Sequence, residues 1–293
     1  MRRLAPLAPT VALLATLLAA PAAQAQSSLV LSSQPGGDTK PLWEVGFFLG
    51  GARLPDYPAA GQSQTRVLPL PYVIYRGDVF KIGDGGGVRA ETDITDRIEF
   101  SLGFSGSFDS DSKDNKAREG MPDLDLLAEA GPAVSFRLTP RKSDFQAVLS
   151  LEARAVISLD FDDIGYQGIA VNPKLTVQQR DILGTGLGLY LSAGPVWGFD
   201  GVNEYFYEVE PRFARPGRAA YKADEGYMGT RANIGISTMV TENVRLFAGT
   251  QISYHGGAAN EDSPLFREKW TVGAGAGLTW SIWQSEKRVP ARD

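Results

Sequence analysis

The chain has no cysteine and a single histidine. Without cysteine there is no disulfide framework, no thiolate metal site, no cysteine nucleophile and no lipid anchor on a terminal cysteine. Cationic side chains are in slight deficit, 29 against 34 carboxylates for a net charge of −5. A nucleic-acid partner is therefore not expected. Beyond residue 26 no run of 18 apolar residues occurs, so that part of the chain offers no transmembrane helix. Cofactor and metal signatures are missing too. Gly83, Gly85, Gly86 and Gly87 precede neither a helix nor a Lys-Ser/Thr pair, so they make no phosphate loop. Asp109, Asp111, Asp114 and Glu119 lack the glycine and closing glutamate of a calcium loop, and Lys113, Lys116 and Arg118 interrupt them. No cofactor and no metal are expected.

What remains is a chain with 33 glycines, 18 prolines, 10% aromatics and only moderate hydrophobicity. Its first residues read as a secretory signal. Arg2 and Arg3 form a basic start, residues 4–20 are rich in Ala and Leu, and Ala23-Gln24-Ala25 is an A-x-A cleavage site. The expectation is a signal peptide over 1–25 cleaved after Ala25, a flexible lead-in over 26–42, one β-domain over 43–283 and a polar tail over 284–293.

The stretch 269–283, KWTVGAGAGLTWSIW, shows why the domain reads as β. Trp270, Val272, Ala274, Ala276, Leu278, Trp280 and Ile282 share one parity, and the other is mostly Thr, Gly and Ser. Successive strand side chains point to opposite faces, so one face is apolar, with Trp near each end. Ten residues rising about 3.3 Å each and tilted roughly 40° span about 25 Å, the height of the apolar band of an outer-membrane barrel. Similar alternation recurs at 43–50, 98–108, 126–138, 145–159, 168–178, 187–199, 228–240 and 244–254. Weaker candidates lie at 67–75, at 79–91 with its glycine break, and at 205–209. Pro69 and Pro71 cannot donate to a ladder, which places 67–75 at a seam or an irregularity. The glycines near 85 read as a bulge or kink.

The total is about twelve strands, within a range of ten to twelve. Periodicity alone does not say whether the apolar set faces lipid or a soluble core. The signal peptide, strand lengths and terminal aromatics favour an antiparallel transmembrane β-barrel. On this count the long polar stretch 109–125 falls at the same end as the termini, against the usual pattern of long loops on the outer side. A miscounted short strand near 80–95 or 203–210 would remove the conflict.

The polar parities supply a candidate lumen of Arg97, Glu99, Glu129, Arg137, Glu152, Arg154, Lys174, Arg231 and Arg245. Two readings stand: a selectivity lining, or a network of ion pairs filling a narrow barrel. Ser253 and His255 are two residues apart and would share a strand face. A Ser/His pair could serve acyl transfer, but no acid sits on that strand to orient the base. No catalytic residues are assigned.

Four motifs, in order, resemble the MipA/OmpV family of outer-membrane proteins. They are Leu54-Pro55-Asp56-Tyr57-Pro58; Val67-Leu68-Pro69-Leu70-Pro71-Tyr72 leading to Tyr75-Arg76-Gly77-Asp78; Tyr205-Phe206 with Ala220-Tyr221 and Gly226-Tyr227; and Gly257-Ala258-Ala259 with Asp262-Ser263-Pro264-Leu265. Such barrels often finish on an aromatic residue, whereas here residues 284–293 follow Trp283. The resemblance implies a non-enzymatic barrel in the outer membrane, in contact with its lipid. For the family's founding member it implies a scaffold joining a murein-cleaving lytic transglycosylase to a murein synthase. Other relatives resemble adhesins or small-solute channels. A monomeric scaffold is the expectation, a narrow channel or adhesin the alternative, and a lipid-modifying enzyme using Ser253 and His255 the third.

Overall fold

The structure, a computed structural model, describes residues 39–83, 87–107, 109–159 and 164–290. The signal peptide, the lead-in as far as residue 38 and Phe108 lie outside them. Fourteen strands are described: β1 (Thr39–Pro41), β2 (Trp43–Pro55), β3 (Ser63–Arg76), β4 (Phe80–Ile82), β5 (Val88–Asp93), β6 (Ile98–Ser107), β7 (Leu126–Arg137), β8 (Phe145–Leu159), β9 (Ile164–Gln179), β10 (Leu187–Phe199), β11 (Gly226–Met239), β12 (Val244–Tyr254), β13 (Trp270–Gln284) and β14 (Arg288–Pro290). A short helix, α1 (Val202–Tyr207), sits between β10 and β11. β2 to β13 close into an antiparallel barrel of twelve strands, each paired with its neighbour in sequence and β13 with β2. Among the described residues no helix is long and apolar enough to cross a membrane.

The apolar parity faces outward. Trp270 is 62% exposed, Trp280 51% and Leu151 53%, with Phe47, Leu49, Leu149 and Val272 on the same outer surface. The opposite parity is buried and polar: Ser150, Ser192, Ser253, Thr271 and Thr279 point inward. A soluble sandwich would reverse this. An outer surface of aliphatic side chains and Trp suits hydrocarbon as its solvent. Closure leaves every fully paired strand without a free edge, which hydrocarbon requires.

Glycines on the inner parity of β13 make room for large inward side chains. Phe48 stacks on Phe247 with ring centroids 5.6 Å apart. A Cβ on Gly277 would stand 2.6 Å from the Phe247 ring and 2.6 Å from the Leu49 carbonyl. Leu68, Leu70 and Tyr72 of β3 pack against the same aromatic pair.

Two strands differ from the sequence expectation, and the count survives because the differences cancel. The stretch 79–91 is a hairpin of two short strands, β4 and β5, rather than one kinked strand. Gly83 and Gly87 both have φ near +70° and are joined by an N–H···O=C bond of 2.6 Å, so these glycines turn the chain back. The stretch 205–209 is no strand: Tyr205, Phe206 and Tyr207 belong to α1, and Val209 makes only a bridge to Tyr221. Aromatics favour strands, but here packing decides, since the helix lets three consecutive rings reach different parts of one cluster. With the hairpin counted as two, residues 109–125 move to the end away from the termini, beside 56–62, 200–225 and 255–269. The conflict over long loops disappears.

β1 and β14 form a separate two-stranded ladder across the other mouth, Lys40 opposite Val289. Three residues assigned to the lead-in thus pair with three of the polar tail. Both segments are brought together because β2 and β13 are neighbours.

Candidate functional site

Two features carry the chemistry: a cap built from four loops, and the lumen beneath it. The cap assembles residues far apart in sequence around two adjoining apolar clusters. Tyr57, Ala60, Leu124, Val209 and Leu265 form one. Ala59, Leu127, Val156, Val202, Tyr207, Ala223 and Met228 form the other. Several of the buried polar groups there are bonded from one loop to another. The Tyr57 hydroxyl donates to the Leu265 carbonyl (2.8 Å), the Tyr207 hydroxyl to the Pro58 carbonyl (3.0 Å), and the Ser263 hydroxyl to the Tyr207 carbonyl (2.7 Å). Asn260 and Asp224 exchange two bonds of 2.8 Å, as a backbone pair would, and the Tyr221 hydroxyl donates to Asn260 (3.3 Å). Asn115 donates to Asp56 (2.6 Å), tying the 109–125 loop to the first. Arg218 donates to the carbonyls of Phe213, Ala117 and Glu119. Burial pushes the Tyr57 hydroxyl up to about 12 and raises those of Tyr205 and Tyr207 as well, so all three stay neutral, Tyr57 and Tyr207 as donors and Tyr205 accepting from the Asp125 N–H (2.6 Å).

Three of the four family motifs therefore meet in the cap. Pro55, Asp56 and Tyr57 enter it from β2, Tyr221 from the β10–β11 loop, and Ser263 and Pro264 from the last loop. Asp262 is exposed beside them. Pro69, Pro71 and Tyr72 do not join it; they lie along β3 in the wall.

His255 belongs to the cap as well. Its Nε2 accepts from the Ala59 N–H (3.2 Å) and lies 3.0 Å from the Thr271 hydroxyl. The other ring nitrogen must then carry the proton, and Nδ1 donates to the Met228 carbonyl (2.9 Å). Burial holds the imidazole below its usual range, with Arg231 adding to the effect. Both nitrogens are committed, Nε2 to the 56–62 loop and β13 and Nδ1 to β11, and neither is bonded to Ser253. Ser253 and His255 do share the inward side, and the His255 N–H extends the ladder to the Lys269 carbonyl (2.7 Å), but the ring turns to Ala59, Thr271 and Met228. The geometry is that of a fastener and not of a nucleophile with its base.

The lumen is crossed by ion pairs. Arg137 meets Glu99 at 2.6 Å. Glu152 holds Lys174 at 2.8 Å and Arg154 at 3.4 Å. Glu129 accepts from Ser105 at 3.4 Å. Six of the nine candidates named from the sequence thus sit among these pairs or beside them. Arg231 points inward from β11 and lines the cavity, and Arg245 is buried near the inner mouth. Arg97 departs from the expectation: it is exposed in the turn 94–97, because the strand begins only at Ile98 and alternation does not continue past its end.

Sequence reading missed a further set. Glu91 takes both Lys81 and Arg89, the latter at 2.8 Å. Glu44 pairs with Arg76 at 2.6 Å and accepts from Ser281 at 2.7 Å, which in turn accepts from Tyr72 at 2.6 Å. The signal was available, since Lys81, Arg89 and Glu91 share one parity and Phe80, Ile82, Val88 and Ala90 the other. The lumen that remains is a cavity of about 550 Å³. Among the described residues no group of acids and histidine could hold a metal ion.

The family model described as MltA-interacting protein MipA matches residues 47–282. Among solved structures, the chain is similar to the NanC porin at 9% identity, covering 80% of this chain and 100% of that one, with a TM-score of 0.39. An outer membrane channel from Pseudomonas putida F1 matches at 13% identity, 86% and 100% coverage and a TM-score of 0.38. Outer membrane phospholipase A from Escherichia coli matches at 9% identity, 89% and 98% coverage and a TM-score of 0.31. No curated protein sequence matches the chain.

Proposed function

The chain belongs to the MltA-interacting protein MipA family and is an outer-membrane β-barrel, and from that premise we propose that it acts as a non-enzymatic scaffold. Its partners would be envelope proteins, among them a murein-cleaving transglycosylase of the MltA kind and a murein synthase. One observation carries this reading over that of a channel. Loops bonded to one another span the outer mouth, and the lumen below is crossed by paired charges. A barrel built this way pairs most of its lumenal charges with one another, which favours presenting a surface over conducting a solute. Murein lies on the inner side of the outer membrane, so the partner surface is assigned to the end that carries the termini. There the short turns and the β1–β14 ladder are exposed, including Arg97 and the Arg141–Asp93 pair. The barrel works as a monomer in this reading.

The test is recovery of partners from gently solubilised envelopes after cross-linking. A transglycosylase and a synthase recovered with the barrel support the scaffold, and their absence sinks it. In planar bilayers the purified chain is expected to stay closed at all voltages. A steady conductance would restore the channel reading.

A further inference from the structure

The barrel wall has an incomplete seam. β3 pairs with β2 along its whole length, but on its other side it meets β4 only through Tyr75 and Arg76. Among the described residues no strand pairs with that side above Tyr75. The Arg76 N–H donates to Leu42 (2.8 Å) and the Asp56 N–H to Gln62 (3.1 Å), which fixes the ladder phase and turns the even-numbered amides of β3 toward β2. Antiparallel alternation then turns the odd-numbered positions, 65 to 73, toward the seam. Pro69 and Pro71 stand at two of these. A bare N–H facing hydrocarbon is costly, and proline has none. The same prolines refuse an added strand, so a β-strand from a partner is a poor occupant.

Side chains close the seam at its outer end, where Gln64 donates to Ser110 (2.7 Å) and Arg66 meets Asp109 (3.1 Å). The β4–β5 hairpin closes it at the other. Between lie residues 67–72, about 20 Å of strand. The lumenal cavity reaches this gap. Its lining includes Val88 and Phe104, a cross-strand pair on the outward parity, and Gly106 of the same parity. Elsewhere the outward parity belongs to the lipid face, so lumen and bilayer meet here.

The two sides of the gap differ in chemistry. Outside are Val67, Pro69, Pro71, Val73 and Leu102, all exposed and apolar. Inside, Lys81 and Arg89 share the single carboxylate of Glu91. The Arg154 guanidinium lies over Gly103 of β6, with Nη1 2.9 Å from where a Cβ would stand. Glu152 is likewise shared by Arg154 and Lys174, so the cations near the gap outnumber their acids, while the described lining as a whole carries eight cationic side chains and seven carboxylates. We propose that the β3–β6 seam admits the anionic headgroup of a membrane amphiphile sideways into the lumen, leaving its acyl chain against the wall. A carboxylate or phosphate head on one acyl chain suits Lys81, Arg89 and Arg154 at the gap and a cavity of about 550 Å³. A cationic head would meet like charge. This site is independent of the scaffold role.

The test uses the full chain in vesicles of zwitterionic lipid with photoactivatable amphiphiles, each carrying its reactive group beside the head. The probes are a long-chain carboxylic acid, a single-chain phosphoglycerol lipid and an alkyl trimethylammonium of the same length. Cross-linked peptides are mapped by mass spectrometry. One or both anionic probes should label inward residues of β3, β5 and β6, such as Arg66, Ser101 and Ser105, at least tenfold more than the cationic probe. Which one does so identifies the source as fatty acid or phospholipid. Equal labelling by all three, or labels confined to the outer face, overturns the proposal. Arg89→Gln should cut the inward labels severalfold while outer-face labelling and gel mobility of the folded barrel stay unchanged. Undiminished inward labelling in that folded variant also overturns it. Mapping on the native chain decides the matter if the variant fails to fold.

Discussion

Truncating Leu265 to alanine tests whether the cap is held by its own small core. Leu265 is fully buried among Tyr57, Leu124, Val209 and Ala60. Its carbonyl receives the Tyr57 hydroxyl and its N–H donates to Ser263 (3.2 Å). Losing three carbons costs their transfer free energy, about 0.8 kcal/mol per CH₂. A cavity term follows, because the neighbours are anchored by cross-loop bonds and relax little. Together these give about 3 kcal/mol, within the range for Leu→Ala in cores. At 1.4 kcal/mol per tenfold, opening of the cap becomes roughly 150 times more frequent. Amide hydrogen exchange reads this directly. The N–H groups of Val209 and Tyr221, which bond across the 200–225 loop, should exchange about a hundredfold faster. Amides in the β12–β13 ladder should not change, since no cap bond is needed to hold that ladder. Equal acceleration in the ladder would refute the separation of cap from wall. No acceleration at Val209 and Tyr221 would refute the core assignment.

Three further perturbations follow from the same geometry. Burial keeps His255 neutral, so the folded state binds fewer protons than the unfolded one once the pH falls below the ordinary value of 6.5. Its contact with Ala59 is fully present above that pH and weakens as the pH drops through the lowered folded value. Protease nicking of the cap loops should rise between about pH 6.5 and 5, before ordinary carboxylates titrate, and His255→Gln should flatten that rise. Gly277→Ala drives a Cβ into the Leu49 carbonyl and the Phe247 ring and should cost about 1–3 kcal/mol in folding yield on unboiled gels. Gly51→Ala, whose Cβ meets only ordinary contacts at 3.5 Å, is the matched control, and an equal loss there would undo the argument. Leu151→Arg places a charge mid-strand on the outer face. It should cost about 2–4 kcal/mol in lipid, and a neutral result would mean that this face does not meet hydrocarbon.

How far the sequence discloses this molecule depends on the range of the interaction that carries each feature. The wall is legible because parity is local: the alternation at 269–283 needs no knowledge of neighbours to separate an apolar face from a Gly-rich one, and the signal peptide, strand lengths and terminal aromatics then turn the apolar face to lipid. The lumenal place of Glu99, Arg137, Glu152, Arg154 and Lys174 is legible for the same reason, though parity does not say which of them pair. Arg97 shows where the rule ends, because parity has no meaning once the ladder stops. The cap is legible only in outline. Tyr57, Tyr221 and Ser263 stand out as motif residues, yet nothing periodic says that a tyrosine near 57 will donate to a carbonyl at 265. The β1–β14 ladder, joining positions about 250 apart, is equally silent. β3 lies between these cases. Two prolines two residues apart mark a strand that cannot donate on one side, and that observation already requires a side without a partner. The missing partner is supplied in the structure by the brevity of β4 and β5. The same brevity made the hairpin look like one broken strand and put residues 109–125 at the wrong end. Correcting that hairpin restores the loops to one end and leaves the upper part of β3 with an open edge, so the sidedness of the barrel and the existence of its seam stand or fall together.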